Sequence, residues 1–166
     1  MIRLAPRAAN VTYVEQPLQD VDFPAASFDA WLSVTALQHI TIQTDFDAAI
    51  DNLTRVLRPG GLAAVLEYAP LRVFGHAPSY LRARDRGEWL HAITSRGYTR
   101  RSETGIRFLG HIPYMLAVRL LRRYNRQPVA LRWLRAVGWA VDLALARVPG
   151  ITLLADVRLI VFEKAR

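Results

Sequence analysis

A handful of side chains in this sequence are chemically equipped to act on a ligand. His39 can take or release a proton near neutral pH, while Ser33, Glu67 and Tyr68 offer a hydroxyl, a carboxylate and a phenol. Arg107, His111 and Tyr114 follow one another closely enough to line an acceptor pocket together. What is missing narrows the chemistry further. There are no cysteines, which excludes disulfides, thiolate nucleophiles and thiolate metal sites. His39, His76, His91 and His111 show no H-x-x-x-H spacing, so no metal is expected.

These residues need elements to hold them. Phe28–Val34 is a short, mainly apolar run, as in a strand covered on both faces of a parallel sheet. Thr44 is a candidate N-cap, and Phe46, Ile50, Leu53 and Leu57 recur at i, i+4, i+7 and i+11 as one helical stripe. Pro59-Gly60-Gly61 should stop that helix in a turn, and Leu62–Leu66 should return as a buried strand. Strand, helix and strand of these lengths make a right-handed βαβ unit. Val11–Val14 reads as a further strand, 84–96 as a helix closed by Gly97, Tyr98–Glu103 as an edge strand and Asp156–Glu163 as the last strand.

Four short motifs in order give the βαβ unit a family likeness. Phe23-Pro24-Ala25-Ala26-Ser27-Phe28-Asp29, then Ser33, then Leu37-Gln38-His39-Ile40, then Arg55-Val56-Leu57-Arg58-Pro59-Gly60-Gly61 with Glu67, resemble the small-molecule, type 11-like branch of the class I S-adenosylmethionine-dependent methyltransferases. The resemblance covers roughly residues 1 to 70. It implies an α/β, three-layer, Rossmann-like sheet, mostly parallel with an antiparallel last strand, and S-adenosylmethionine as cofactor. The usual strand order is 3-2-1-4-5-7-6, and residues 1–14 resemble the end of the helix before the third strand together with that strand. The chain would then begin in mid-fold, ahead of which lie the first strand, the glycine-rich cofactor loop and the second strand. No G-x-G occurs to replace that loop, so Met1 is expected to be an internal methionine of a longer gene or the start of a truncated one. Without those strands, Val11–Val14 is expected to pair directly beside Phe28–Val34.

The resemblance also assigns roles. Gln16, Pro17 and Leu18 fall where the family holds the adenine, although Pro17 cannot supply the usual carboxylate. Ser33 would touch cofactor or substrate, or else make a turn hydrogen bond. His39 would be a general base or a substrate contact, with a turn-capping histidine as the structural alternative. Glu67 and Tyr68, at the exposed end of the next strand, would meet the substrate, as would Arg107, His111 and Tyr114. Asp29 reads as structural. Methyl transfer from a sulfonium needs alignment more than a fixed triad, since the leaving group takes no proton, so sequence marks its catalytic residues weakly.

The second half is less family-like. Residues 113–148 read as a helical insertion within a single domain spanning residues 1–166. Its first helix would place Arg119, Arg122, Arg123 and Arg126 opposite Met115, Leu116, Val118 and Leu121, and its second, Pro128–Arg147, is apolar apart from a stripe of Arg132, Arg135 and Asp142. Charge is uneven: residues 1–70 carry 4 basic and 8 acidic side chains, the remainder 18 and 6. That bias suits an anionic partner, although arginine-rich base composition alone also produces it. The hairpin could be a lid over a lipid-like acceptor, a peripheral contact with anionic membrane, or a packing cap or homo-oligomer interface. No run is long enough to span a membrane and no hydrophobic signal segment opens the chain, so a cytoplasmic protein is expected, membrane-peripheral if the hairpin takes the membrane reading. No nucleic-acid motif is present. Two functions follow: methyl transfer to a small or lipid-like acceptor, or a non-catalytic methyltransferase-derived fragment serving as a membrane-surface or protein-interaction module.

Overall fold

The computed structural model describes residues 10–73, 78–108, 112–120, 129–148 and 150–166. In chain order the elements are β1 (Phe28–Val34), α1 (Gln43–Val56), β2 (Leu57–Tyr68), α2 (Arg86–Thr94), β3 (Tyr98–Arg107), α3 (Ile112–Leu120), α4 (Val129–Leu145) and β4 (Val157–Lys164). The strands form one sheet in the order β1-β2-β4-β3. β1 and β2 are parallel, and β4 runs antiparallel to both its neighbours. β3 therefore points the same way as β1 and β2 and the last strand is reversed as expected, but only the β1–β2 pairing is parallel, so the described sheet is mixed rather than mostly parallel.

The βαβ unit forms as its pattern requires. Phe46, Ala49, Ile50 and Val56 of α1 are buried, and Leu53 packs beside them. Lys164 Nζ reaches the end of α1 and donates to the carbonyls of Thr54 (2.7 Å) and Leu57 (2.8 Å), which suits a cation at a helix C-terminus. At the other end Ile42, not Thr44, is the N-cap, and no side chain caps it. Arg58–Gly61 is not a turn ahead of the strand but a bulge inside β2, where the register moves from Phe28↔Leu57 to Ala30↔Leu62. Glycine is required there: Gly60 has φ +74°, and a Cβ on Gly61 would lie 2.7 Å from the Leu57 side chain.

The core lies on one face of the sheet. Ala63 and Val65 of β2 and Ile160 and Phe162 of β4 meet Phe46 and Ile50 of α1 and Trp89 and Ile93 of α2. An Asp85–Glu88 capping box starts α2, and Trp89 Nε1 donates to the Tyr68 carbonyl at 3.0 Å, fixing α2 against the end of β2. The opposite face of β1 is open: Leu32 is 66% and Val34 50% exposed. β1 is thus covered on one face only by α1 and α2, contrary to the expectation from its apolar run.

Val11–Val14 does not form a strand. It carries no ladder to β1, and Val11, Tyr13 and Val14 are exposed. The segment after it is tied to α1 instead. Asn52 Nδ2 donates to the Gln19 carbonyl, and Arg55 donates to the carbonyls of Phe23 (2.6 Å) and Val21 (3.0 Å). The helix expected at the very start of the chain lies outside the described residues, as do Arg122, Arg123 and Arg126.

The helical insertion is present as α3 and α4. Asp142 does not share an outward stripe with Arg132 and Arg135; it is buried, and its Oδ1 accepts the Phe108 N–H at 3.1 Å, anchoring α4 to the end of β3. Among the described residues no helix is long and apolar enough to cross a membrane.

Candidate active site

In an open α/β sheet, ligands bind beyond the carboxyl ends of the parallel strands. Here those ends are Val34 of β1 and Tyr68 of β2. Thr35 continues the ladder with its N–H on the Leu66 carbonyl (2.8 Å) and then turns with φ 49°, a left-handed conformation that a β-branched residue adopts only under constraint. The constraint is Glu67. Its Oε1 accepts the Ser33 hydroxyl at 2.6 Å and the Ala36 and Leu37 amides at 3.0 Å each. One fully buried carboxylate thereby bends the chain out of β1 and into the 3-10 turn Leu37–His39.

That turn forms one wall of a cleft of about 540 Å³ lined by Thr35, Gln38, Tyr68, Tyr80, Arg107 and Met115, among others. This is a size that suits a small organic ligand. Gln38 lines the cleft but is largely buried, and its Oε1, like Glu67 Oε2, is buried without a hydrogen-bond partner. Arg107 is held by both oxygens of Asp156 (2.9 and 2.8 Å), and its guanidinium carbon lies 5.9 Å from the Tyr68 ring centre. Burial, reinforced by Asp156 and opposed by Arg107, pushes the Tyr68 phenol up from its usual value. Tyr68 therefore remains a hydrogen-bond donor at neutral pH.

The sequence-derived residues distribute unevenly around this cleft. Tyr68 and Arg107 line it. Glu67, expected to be exposed at the strand end, is 0% exposed, because β2 turns its side chain to the core face where Ser33 and two amides need an acceptor. Ser33 is buried and its hydroxyl proton is committed to Glu67. His39 stands beside the cleft, exposed, with Nδ1 3.1 Å from the Tyr80 carbonyl and its ring stacked on Tyr80 at 6.0 Å. Gln16 and Pro17 are exposed, and Leu18 is half-buried against the core. Tyr114 is half-buried on α3, and its neighbour Met115 is the residue at the cleft. His111 lies outside the described residues. Asp29 pairs with Arg58 at 2.8 Å across the β2 bulge, on the exposed surface. No group of metal-ligating side chains occurs among the described residues.

Thr35, Gln38, Tyr80 and Met115 were not picked out from the sequence. Gln38 sits inside the Leu37-Gln38-His39-Ile40 motif and could have been. The strained backbone at Thr35 has no signature in residue type.

Residues 1–65 match the family described as "Methyltransferase domain". The C-methyltransferase UbiE of ubiquinone/menaquinone biosynthesis from Shewanella oneidensis is 38% identical over 61 residues, 37% of this chain and 23% of that protein. Its counterpart from Shewanella halifaxensis is 40% identical over 60 residues, 36% and 23% of the two chains. The match thus spans about a quarter of the length of these curated relatives. Among solved structures, the [4+2]-cyclase SpnF superposes with a TM-score of 0.55 at 19% identity, over 89% of this chain and 53% of that one. Phosphoethanolamine N-methyltransferase 2 of Haemonchus contortus, solved with S-adenosyl-L-methionine, gives 0.52 at 15% identity, over 90% and 36%. The structural likenesses establish the Rossmann-like sheet, and a cyclase among them shows that the fold alone does not name a reaction. Residues 1–65 thus resemble the methyltransferase-domain family, and the chain as a whole shares the Rossmann-like methyltransferase fold of these structures.

Proposed function

We propose that the cleft at the ends of β1 and β2 receives a small or lipid-like acceptor for methylation by S-adenosylmethionine. The observation that carries this reading is the cleft's place: it opens at the carboxyl ends of the two parallel strands of the motif-bearing βαβ unit, between Thr35 and Tyr68. Bound S-adenosylmethionine supplies an electrophilic methyl group on a sulfonium sulfur. Gln16, Pro17 and Leu18 would hold its adenine, as the family resemblance implies.

The chain's own residues favour an acceptor that is flat and partly apolar. Tyr68, Tyr80, Met115 and Val73 give the cleft an apolar lining, while the protonated Tyr68 phenol and the Arg107 guanidinium mark a side for an acceptor oxygen. The named reaction of the UbiE relatives, C-methylation in quinone biosynthesis, fits such a lining and makes an electron-rich aromatic ring our preferred acceptor class. His39, which stacks on the cleft residue Tyr80, would accept the proton such an acceptor must lose. Because a carbonyl oxygen only accepts, the His39 Nδ1 facing Tyr80 carries the hydrogen, and Nε2 is left with the basic lone pair.

Calorimetric titration of the chain with S-adenosylhomocysteine tests the reading. Micromolar binding is the expected result. No heat and no thermal shift at millimolar ligand would sink it and favour a non-catalytic, methyltransferase-derived module.

A further inference from the structure

We propose that the outer surface of the α3–α4 hairpin is a docking face for an anionic phospholipid bilayer, independent of which acceptor the cleft takes. α4 turns only a narrow stripe inward, including Leu131, Gly138 and Asp142. On its far side Trp133, Val137 and Val141 recur at i, i+4 and i+8 and are 70%, 56% and 44% exposed. Trp139 and Leu143 are exposed as well, and α3 adds Met115 and Leu116. Soluble chains rarely leave so many large apolar side chains of one supersecondary unit bare, and two exposed tryptophans on one helix are the residues that a headgroup–acyl boundary accommodates best.

Charge selects the occupant. Residues 111–154 contain seven arginines and a single acid, Asp142. Asp142 is buried, whereas Arg119, Arg132, Arg135 and Arg147 are exposed. Arg132, Trp133, Arg135, Ala136 and Trp139 line a recess of about 690 Å³, in which guanidinium groups stand next to indole rings. A phosphate headgroup with its acyl chains satisfies both at once: the arginines take the phosphate and the apolar stripe enters the acyl boundary. A second copy of the same face would set arginine against arginine, so the face is not self-complementary. Met115 lines both the groove on α3 and the cleft at the ends of β1 and β2, so the α3 side of the docking face borders that cleft.

The test is flotation of the full chain with vesicles of phosphatidylcholine alone or of phosphatidylcholine mixed with phosphatidylglycerol, without any methyl donor. Binding to the anionic vesicles should be roughly tenfold or more the stronger, and should weaken as salt rises. The W133S/W139S pair should lose about tenfold or more of that binding with an unchanged melting curve, since both side chains are exposed. R132Q/R135Q should reduce the anionic preference by a similar factor and carries the test if the tryptophan variant does not fold. Equal binding to neutral and anionic vesicles, no binding to either, or binding indifferent to both variants would overturn the proposal. So would sedimentation showing that the chain self-associates through Trp133 and Trp139 while ignoring vesicles, which would make this a protein interface.

Discussion

Ser33 on β1 and Glu67 on β2 are joined by a 2.6 Å hydrogen bond across the two parallel strands, and the same Glu67 oxygen holds the Ala36 and Leu37 amides. The carboxylate is fully buried, so its removal leaves three donors without their acceptor, two of them, the Ser33 hydroxyl and the Leu37 amide, buried. Leaving one such donor unsatisfied costs about 1–3 kcal/mol, and the three will not add fully. Glu67→Ala should therefore lose roughly 3 kcal/mol of unfolding free energy by urea titration, with an unchanged m-value. A loss under about 0.5 kcal/mol would show that the strand end is held by something else.

A second carboxylate makes stability depend on acid. Glu103 accepts Arg86 Nε and Nη2 at 2.7 and 2.8 Å, Arg100 at 2.7 Å and the buried Arg158 at 3.0 Å. Burial alone would raise its pKa, but the Arg86 bond, the charges of Arg86 and Arg158 and the Arg100 bond outweigh it and leave the carboxyl below its ordinary 4.5. The unfolded chain then binds the proton more tightly than the folded one. Stability from this group is fully present above pH 4.5 and drains as pH falls towards the folded value. Unfolding followed from pH 6 down to about 3 should show that loss in the parent protein and a shallower slope in Glu103→Gln.

The contrast between these two acids shows what the sequence could and could not convey. The Phe46, Ile50 and Leu53 stripe and the apolar, β-branched Val157–Phe162 run are local signals, and both elements form where those signals put them, although Leu57 already belongs to β2. Glu67 is equally local in sequence, yet its role is set by which face of β2 it occupies. The bulge at Arg58–Gly61 changes the β1–β2 register just upstream of it, and residue spacing does not record such a shift. Val11–Val14 fails for a related reason. Its β-branched alternation is a fair strand signal, but Arg55 and Asn52 moor the following segment to α1, so the contest is decided by contacts more than thirty residues away.

Thr35 stores strain at the cleft. Its φ of 49° is reached between a ladder bond to Leu66 and the Glu67-bound turn, and a β-branched side chain resists that conformation. Thr35→Asn should relieve part of the strain and raise stability by about 1 kcal/mol in thermal or urea unfolding. A destabilised variant would show that the Thr35 side chain contributes more than its backbone costs.

Arg84 presents the opposite balance, a cation buried with few partners. It is 2% exposed and donates to the Ile40 carbonyl at 3.1 Å, while its Nε and Nη1 have no hydrogen-bond partner. Burial, then the nearby Arg82 charge, lowers its pKa to about 10, with Glu88, Asp47 and Glu67 partly compensating. Its favourable contact is with the Phe46 ring, 3.6 Å below the guanidinium. Replacing a poorly paired buried charge by an apolar side chain of similar length is often neutral or stabilising. Arg84→Met should therefore leave unfolding free energy within about 1 kcal/mol of the parent or above it, whereas Phe46→Ala should lose about 3–5 kcal/mol. A severe loss in Arg84→Met would mean that the charge itself organises the wall behind Gln38.

His39 is the residue whose two readings separate most sharply in kinetics. If it accepts the acceptor's proton through Nε2, His39→Ala should lower kcat by about 10²-fold or more while leaving KM and the melting temperature close to the parent values. His39→Asn can still donate to the Tyr80 carbonyl but has no basic nitrogen, so it should keep the turn and share the loss of kcat. A turn-fixing histidine predicts the reverse pattern: the alanine variant would lower the melting temperature and raise KM, and asparagine would rescue both. Because Tyr80 is exposed and stacks on the ring from the cleft side, Tyr80→Ala offers a further check. It leaves the backbone carbonyl in place, so a proton-accepting His39 should retain most of kcat in that background even as acceptor binding weakens.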